Sequence, residues 1–127
     1  MDMKLELVTL PVSDVDRAKD FYVEQMGFVA EHDVTVSEEM RFVQLTPPGS
    51  ACSIAIGKGL VDSPPGSVKG VQLVIDDAAA AHAELVSRGA RASEPEVFPW
   101  GTFVFVEDPD GNRWSLQQLP PREPTAA

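Results

Sequence analysis

The chain has 127 residues, 43% of them hydrophobic and 24% charged, which suits one compact domain and excludes a disordered chain. Ten basic against twenty acidic residues leave a net charge of −10, a field that disfavours nucleic acid and anionic lipid and favours cations at long range. The apolar runs fall far short of the roughly 20 residues of a membrane span, and MDMKLELVTL lacks the apolar run and small-residue cleavage site of a secretory leader, so a cytoplasmic location is expected.

Leu5 to Val12 is rich in β-formers and reads as a strand. Ser13-Asp14 is an N-cap pair, and Val15, Ala18, Tyr22 and Met26 then share one helical face, with Phe21 beside them and Gly27 at the C′ position. Residues 14–26 are therefore expected to be an amphipathic helix. Phe28–Ala30, Met40–Leu45 and Ala51–Ile56 read as three further strands, the last two joined by Thr46-Pro47-Pro48-Gly49. Cys52, the single cysteine, sits in an apolar run as a small buried residue, and excludes an internal disulfide or a cysteine-based zinc site.

Residues 57–69 are rich in Gly, Pro and Ser and read as a linker. Gly70–Ile75 is a strand, Asp76-Asp77 caps a helix with Ala78, Ala81 and Leu85 on one face, and Gly89 closes it. Thr102–Val106 and Arg113–Leu119 are strands joined by Asp108-Pro109-Asp110-Gly111-Asn112. That loop lacks the spaced carboxylates and terminal Glu of a calcium loop, and its Pro, Gly and Asx residues suit a hairpin connection. Pro120–Ala127 has no periodicity and is expected to be loosely held.

The second half repeats the first. Leu7 aligns with Gly70 at an offset of 63, and Gly49 with Gly111 at an offset of 62. One supersecondary unit is thus present twice, and each copy, with a single helix to cover it, needs its twin to complete a core. The expected organisation is one domain, with module one at 4–56, linker 57–69, module two at 70–119 and tail 120–127.

The segments LVTLPVSDVDRAKDFYVEQMGF, VKGVQLVIDDAAAAHAELVSRGA and WGTFVFVEDPDGNRWSLQQL resemble the vicinal oxygen chelate superfamily of glyoxalase I, extradiol dioxygenases and bleomycin resistance proteins. The resemblance covers residues 4–119, and strand–DPDGN–strand is its most specific part. It implies an α+β fold in which two βαβββ modules form a U-shaped, partly closed mixed sheet with helices on the convex side. A ligand lies in the trough, and two chains associate as a homodimer.

In the metal-using members of that family, the ligands are His, Glu or Gln on the first and fourth strands of each module. The matching positions are Leu7 and Gly70 on the first strands, and Ser53 and Ser115 on the fourth. Leu and Gly offer no donor, and a serine hydroxyl is a poor ligand for a transition metal. Glu6 is one residue off, and strand alternation turns it to the opposite face. His82 reads as a helix histidine and His32 as a surface residue near a turn. No metal, cofactor or catalytic residue is therefore expected.

Alternation from those positions gives the inward set. It contains Leu7, Thr9, Gln72 and Val74 from the first strands, and Ala51, Ser53, Ala55, Arg113, Ser115 and Gln117 from the fourth. The third strands are expected to add Met40, Phe42, Gln44, Thr102 and Val104. Apolar wall with a few amides and hydroxyls, and small residues that leave volume, is the makeup of an organic-ligand pocket. Phe98-Pro99-Trp100-Gly101 reads as a stiffened loop in which Trp100 stacks on the ligand and Phe98 covers the core end. Trp114 turns away from the trough. Leu7, Thr9, Phe42, Ser53, Gln72, Trp100, Ser115 and Gln117 are the expected ligand contacts. The function this implies is sequestration of an aromatic or cationic small molecule by a metal-free protein of the bleomycin-resistance type. The alternative is a lyase, isomerase or dioxygenase with an atypical metal site.

Overall fold

The computed structural model describes residues 1–121, so most of the tail expected at 120–127 lies outside the described residues. Module one comprises β1 (Leu7–Thr9), α1 (Val15–Asp20), β2 (Val29–Ser37), β3 (Met40–Thr46) and β4 (Ser53–Lys58). Module two comprises β5 (Val71–Ile75), α2 (Ala78–Ser87), β6 (Glu96–Phe98), β7 (Gly101–Glu107) and β8 (Arg113–Gln118). The fold is α+β. Each module forms a four-stranded sheet, in the orders β1-β4-β3-β2 and β5-β8-β7-β6, and neither sheet closes. Both are mixed, because β1 lies parallel to β4 and β5 to β8 while the other pairs are antiparallel.

The two helices start in the same way. Asp14 accepts the Arg17 backbone N–H at 3.1 Å, and Asp77 accepts that of Ala80 at 3.0 Å, each satisfying a donor that the first helical turn leaves unpaired. Gly27 and Gly89, at φ 77° and 88°, follow the helical segments where a left-handed residue is needed. Phe21–Gln25 continues α1 as a π-helical turn, and the wider winding buries Phe21 and Tyr22 together.

β1 is shorter than the expected Leu5–Val12, β4 begins at Ser53 rather than Ala51, and three further boundaries differ from the sequence reading. β2 runs nine residues rather than stopping at Ala30, because pairing with β3 carries it through an exposed stretch of mixed polar and apolar residues. Edge-strand pairing needs no apolar alternation, so the pattern gave no sign of it. β6 was read as loop; its three residues are too short for a period to emerge. β4 extends to Lys58, into the expected linker.

One buried cluster joins the modules. Val43, Leu45, Ile54 and Ile56 from sheet one meet Val104, Val106, Trp114 and Leu116 from sheet two, with Tyr22, Phe21 and Leu85 from the helical segments. Loop 108–112 clasps the halves together. Asn112 donates through Nδ2 to the Pro11 carbonyl at 2.8 Å, and Ser13 donates to Asp110. Among the described residues no helix is long and apolar enough to cross a membrane.

Candidate functional site

The face of each sheet opposite the shared core carries the expected inward residues. Leu7 and Thr9 pair with Ser53 and Ala55, and Gln72 and Val74 pair with Ser115 and Gln117. Their strand neighbours Ile54, Ile56, Trp114 and Leu116 point into the core, as alternation requires. One equivalence changes. Gln72, not Gly70, stands beside Ser115 as Leu7 stands beside Ser53, because β5 is shifted by two residues along β8 relative to the arrangement in module one. A shift of two preserves the face, so the inward set on the first strands is unaffected.

In module one, Ser53 is buried. Its Oγ accepts from Gln44 Nε2 at 3.1 Å and lies 2.6 Å from Thr46 Oγ1. Phe42 and Gln44 share this face, since they pair with Gly57 and Ala55 of β4. His32 pairs with Gln44 in β2, which puts it in a strand on the trough side rather than near a turn.

In module two, Gln72 Nε2 donates to Gln117 Oε1 at 2.7 Å, and Gln117 Nε2 donates to the Trp100 carbonyl at 2.8 Å. Three expected contacts, on β5, β8 and the β6–β7 turn, are therefore tied together. The Trp100 ring lies flat against Phe98, with centroids 5.5 Å apart, and is 61% exposed. The third-strand expectation fails here. Phe103 and Phe105 occupy the trough face, opposite Gln117 and Ser115, while Val104 is in the core and Thr102 lies on its side of the sheet. The cause is loop length. Six residues separate Thr46 from Ser53, but five separate Glu107 from Arg113, and one residue reverses which parity faces inward. The five-residue loop is closed by the Asp108 N–H donating to the Asn112 carbonyl. The missed signal was therefore the length of DPDGN.

A cavity of about 520 Å³ opens between the edge strands β1 and β5. Its walls are mostly apolar, including Leu5, Val8, Ile54, Val71, Leu73 and Trp114, with Ser53, Cys52 and Gln72 as polar points. Ser53 and Gln72 thus line it directly. Leu7 and Ser115 are their ladder neighbours, Thr9 pairs one step on with Ala55, Gln117 and Trp100 are joined to it through Gln72, and Phe42 sits farther out on β3. Cys52 is half-buried on this wall. A larger groove of about 810 Å³ follows α1 and is lined by Asp14, Asp16, Asp20, Glu24 and Glu107 together with Arg17 and Arg91, a charged surface rather than an apolar pocket.

The side chains of Leu7, Ser53, Gln72 and Ser115 make a poor set for a divalent metal. Leu7 has no donor, the Ser53 hydroxyl is engaged by Gln44 and Thr46, and Gln72, the one residue of a type that ligates in the family, offers a single amide oxygen beside serines. Among the described residues no group of three or more His, Cys, Asp or Glu is placed to hold an ion. His82 lies on α2 against Glu94, at 3.5 Å, away from the trough.

Comparison with known proteins agrees with this geometry. The family model described as the Glyoxalase/Bleomycin resistance protein/Dioxygenase superfamily matches residues 4–116. Similar solved structures include TnmS3, an antibiotic binding protein from Streptomyces sp. CB03234, with 37% identity, TM-score 0.86, and 94% of this chain and 98% of that one covered. A glyoxalase/bleomycin resistance protein from the same organism has 38% identity and TM-score 0.80, covering 91% of this chain and 100% of the other. A superfamily member from Sphaerobacter thermophilus DSM 20745 has 33% identity and TM-score 0.81, covering 91% and 97%.

Proposed function

The chain belongs to the Glyoxalase/Bleomycin resistance protein/Dioxygenase superfamily, and from that premise we propose that it sequesters an organic small molecule, of antibiotic type, without making or breaking a bond. The observation that carries this is the roughly 520 Å³ cavity with a mostly apolar wall between β1 and β5, lined by Ser53 and Gln72, which stand beside Leu7 and Ser115 at the positions where ion-binding relatives place donors. That volume lies within the range of sites that enclose drug-sized ligands. The likeness to an antibiotic binding protein supports the same reading.

The ligand's aromatic body is proposed to enter between Leu7, Thr9 and Ser53 on one side and Gln72, Ser115 and Gln117 on the other, with Phe42 and the exposed Trp100 ring bounding it. Burying a ring-sized apolar group there contributes about 2 kcal/mol, and the amides fix orientation. Ser53 and Ser115 have no histidine on an adjacent ladder position to act as a base, which speaks against nucleophilic chemistry. A second copy of the chain is proposed to close the open face, since Val34, Val74 and Trp100 leave apolar surface exposed there. The proposed setting is the cytoplasm, where the lone thiol of Cys52 stays reduced.

Tryptophan-fluorescence titration against a panel of aromatic and cationic antibiotics is the test, combined with mass spectrometry of the recovered ligand. Saturable quenching that is lost in Trp100→Ala, with the ligand recovered intact, is expected. No response across the panel, or a ligand recovered with altered mass, overturns the proposal. One equivalent of nickel, zinc, iron or manganese in protein purified without chelators would favour a lyase, isomerase or dioxygenase instead.

A further inference from the structure

Charged groups are unevenly spread over the trough face. Of the five arginines among the described residues, Arg17 pairs with Asp110, Arg41 with Asp16 and Asp33, and Arg88 with Glu84. Arg91 and Arg113 make no ion pair with any described residue, and both line one cleft of about 510 Å³ together with Ser93, Phe105 and Glu107. The bridge between Ala92 and Val106 sets the facing of this segment, so Arg91 and Ser93 turn to the same side as Phe105 and Glu107. Ser93 Oγ accepts the Phe105 N–H at 2.9 Å, which pins the segment to β7.

The Arg113 guanidinium sits over the Phe105 ring, its carbon 4.4 Å from the centroid. The cation–π contact restrains the guanidinium, and its N–H groups have no partner among the described residues, which leaves them able to donate to a carboxylate. Glu107 stands opposite Arg113 in the ladder but pairs with neither arginine. On a chain of net charge −10, this cleft holds two cations against one carboxylate, and Arg91 and Glu107 at its edge also border the α1 groove that carries Asp14, Asp16, Asp20 and Glu24. Arg113, farther from those carboxylates, sets the charge next to the cavity, and over distances shorter than the roughly 8–10 Å screening length local charges dominate.

The cleft lies beside the proposed ligand cavity along β8, and the two share no lining residue. Arg113 is two residues along β8 from Ser115, about 7 Å, and the ladder neighbour of Ser115 is the cavity residue Gln72. Gly70, also a cavity wall, leaves open space, since a side chain there would meet nothing within 4 Å.

We propose that the ligand of this site is an aromatic organic acid whose carboxylate binds between Arg113 and Arg91, a reading that rests on the ligand-holding function proposed above. The test uses anthracene-2-carboxylate, its neutral carboxamide and the corresponding trimethylammonium compound, titrated by fluorescence anisotropy at low ionic strength. The carboxylate is expected to bind at least about tenfold more tightly than the carboxamide, an advantage that shrinks as salt is added. Arg91→Gln combined with Arg113→Gln should bring the ratio of the two affinities close to one, and Glu107→Gln should raise it. Equal binding of the three probes, tighter binding of the cation, or a preference that survives the double substitution overturns the inference while leaving the sequestration reading in place. Failure of all three probes to bind the wild-type chain overturns both.

Discussion

The Trp114 indole N–H donates to the Tyr22 hydroxyl at 2.9 Å, and Tyr22 in turn donates to Asp108 Oδ2 at 2.8 Å. The last strand of module two is thereby bonded to the helical segment of module one through a side chain that is 0% exposed. Asp108 also accepts the backbone N–H groups of Asp110 and Asn112 on Oδ1 and the Asn112 amide on Oδ2. Each oxygen of this buried carboxylate thus has two donors, which offsets the cost of removing its charge from water.

Asp108→Ala should leave those donors unpaired in the interior. The expected loss is about 3 kcal/mol, or a fall in melting temperature of roughly 10 °C, measured by calorimetry. A fall of only a degree or two would mean that the hairpin loop holds its shape without the carboxylate.

Burial, and then the neighbouring Asp108 carboxylate, push the Tyr22 hydroxyl far above the ordinary tyrosine range. Because the folded value is raised, the associated stability is complete below about pH 10 and is lost as pH rises above it, at about 1.4 kcal/mol per pH unit. Tyr22 is the only tyrosine in the chain, so tyrosinate absorbance reports on it alone. Absorbance should appear only with unfolding, and Tyr22→Phe should flatten this part of the alkaline decline while costing about 1–2 kcal/mol at neutral pH. Tyrosinate forming in the folded chain would refute the buried network.

On the outer side of sheet one, Asp33 accepts from Arg41 at 2.9 and 2.8 Å and from Lys19 at 2.8 Å. The Arg41 hydrogen bonds first, then Lys19, hold its carboxyl well below the usual carboxylate range. A lowered folded value means the contribution is present above about pH 4 and fades as pH drops below it. These groups are partly exposed, so Asp33→Asn should cost only about 1 kcal/mol at pH 7. Denaturant melts at pH 7 and in acid should show the gap between variant and wild type closing; a constant gap would contradict the ion-pair origin.

Gly70→Val tests the cavity without disturbing the core. The position has open space and no left-handed backbone, so the melting temperature should stay within about 3 °C. The added side chain narrows the cavity wall, and affinity for any aromatic ligand that quenches the wild type should fall about tenfold or more. Unchanged affinity would place the ligand elsewhere.

Much of the fold could be read from the chain alone. Helix caps at Asp14 and Asp77, glycines after both helices and the two-fold repeat follow from local stereochemistry and from the need of each half for a partner. The alternation that turns Ser53, Ser115 and Gln117 to one side and Ile54, Trp114 and Leu116 to the other is equally local. β2 and β6 were not legible, because edge strands are held by backbone pairing and owe little to which side chains they carry.

Residue order by itself determined the two modules and their caps. Tertiary structure alone decided the register. Whether Phe103 and Phe105 or Thr102 and Val104 face the trough depended on one residue of loop length, and whether Gly70 or Gln72 stands beside Ser115 depended on how β5 slid along β8. Sheet registers are set by hydrogen bonds between segments distant in sequence and by the packing of the shared core. Neither leaves a periodic trace in either strand taken singly. The meeting of Arg91 with Arg113, which gives the cleft its charge, has the same origin.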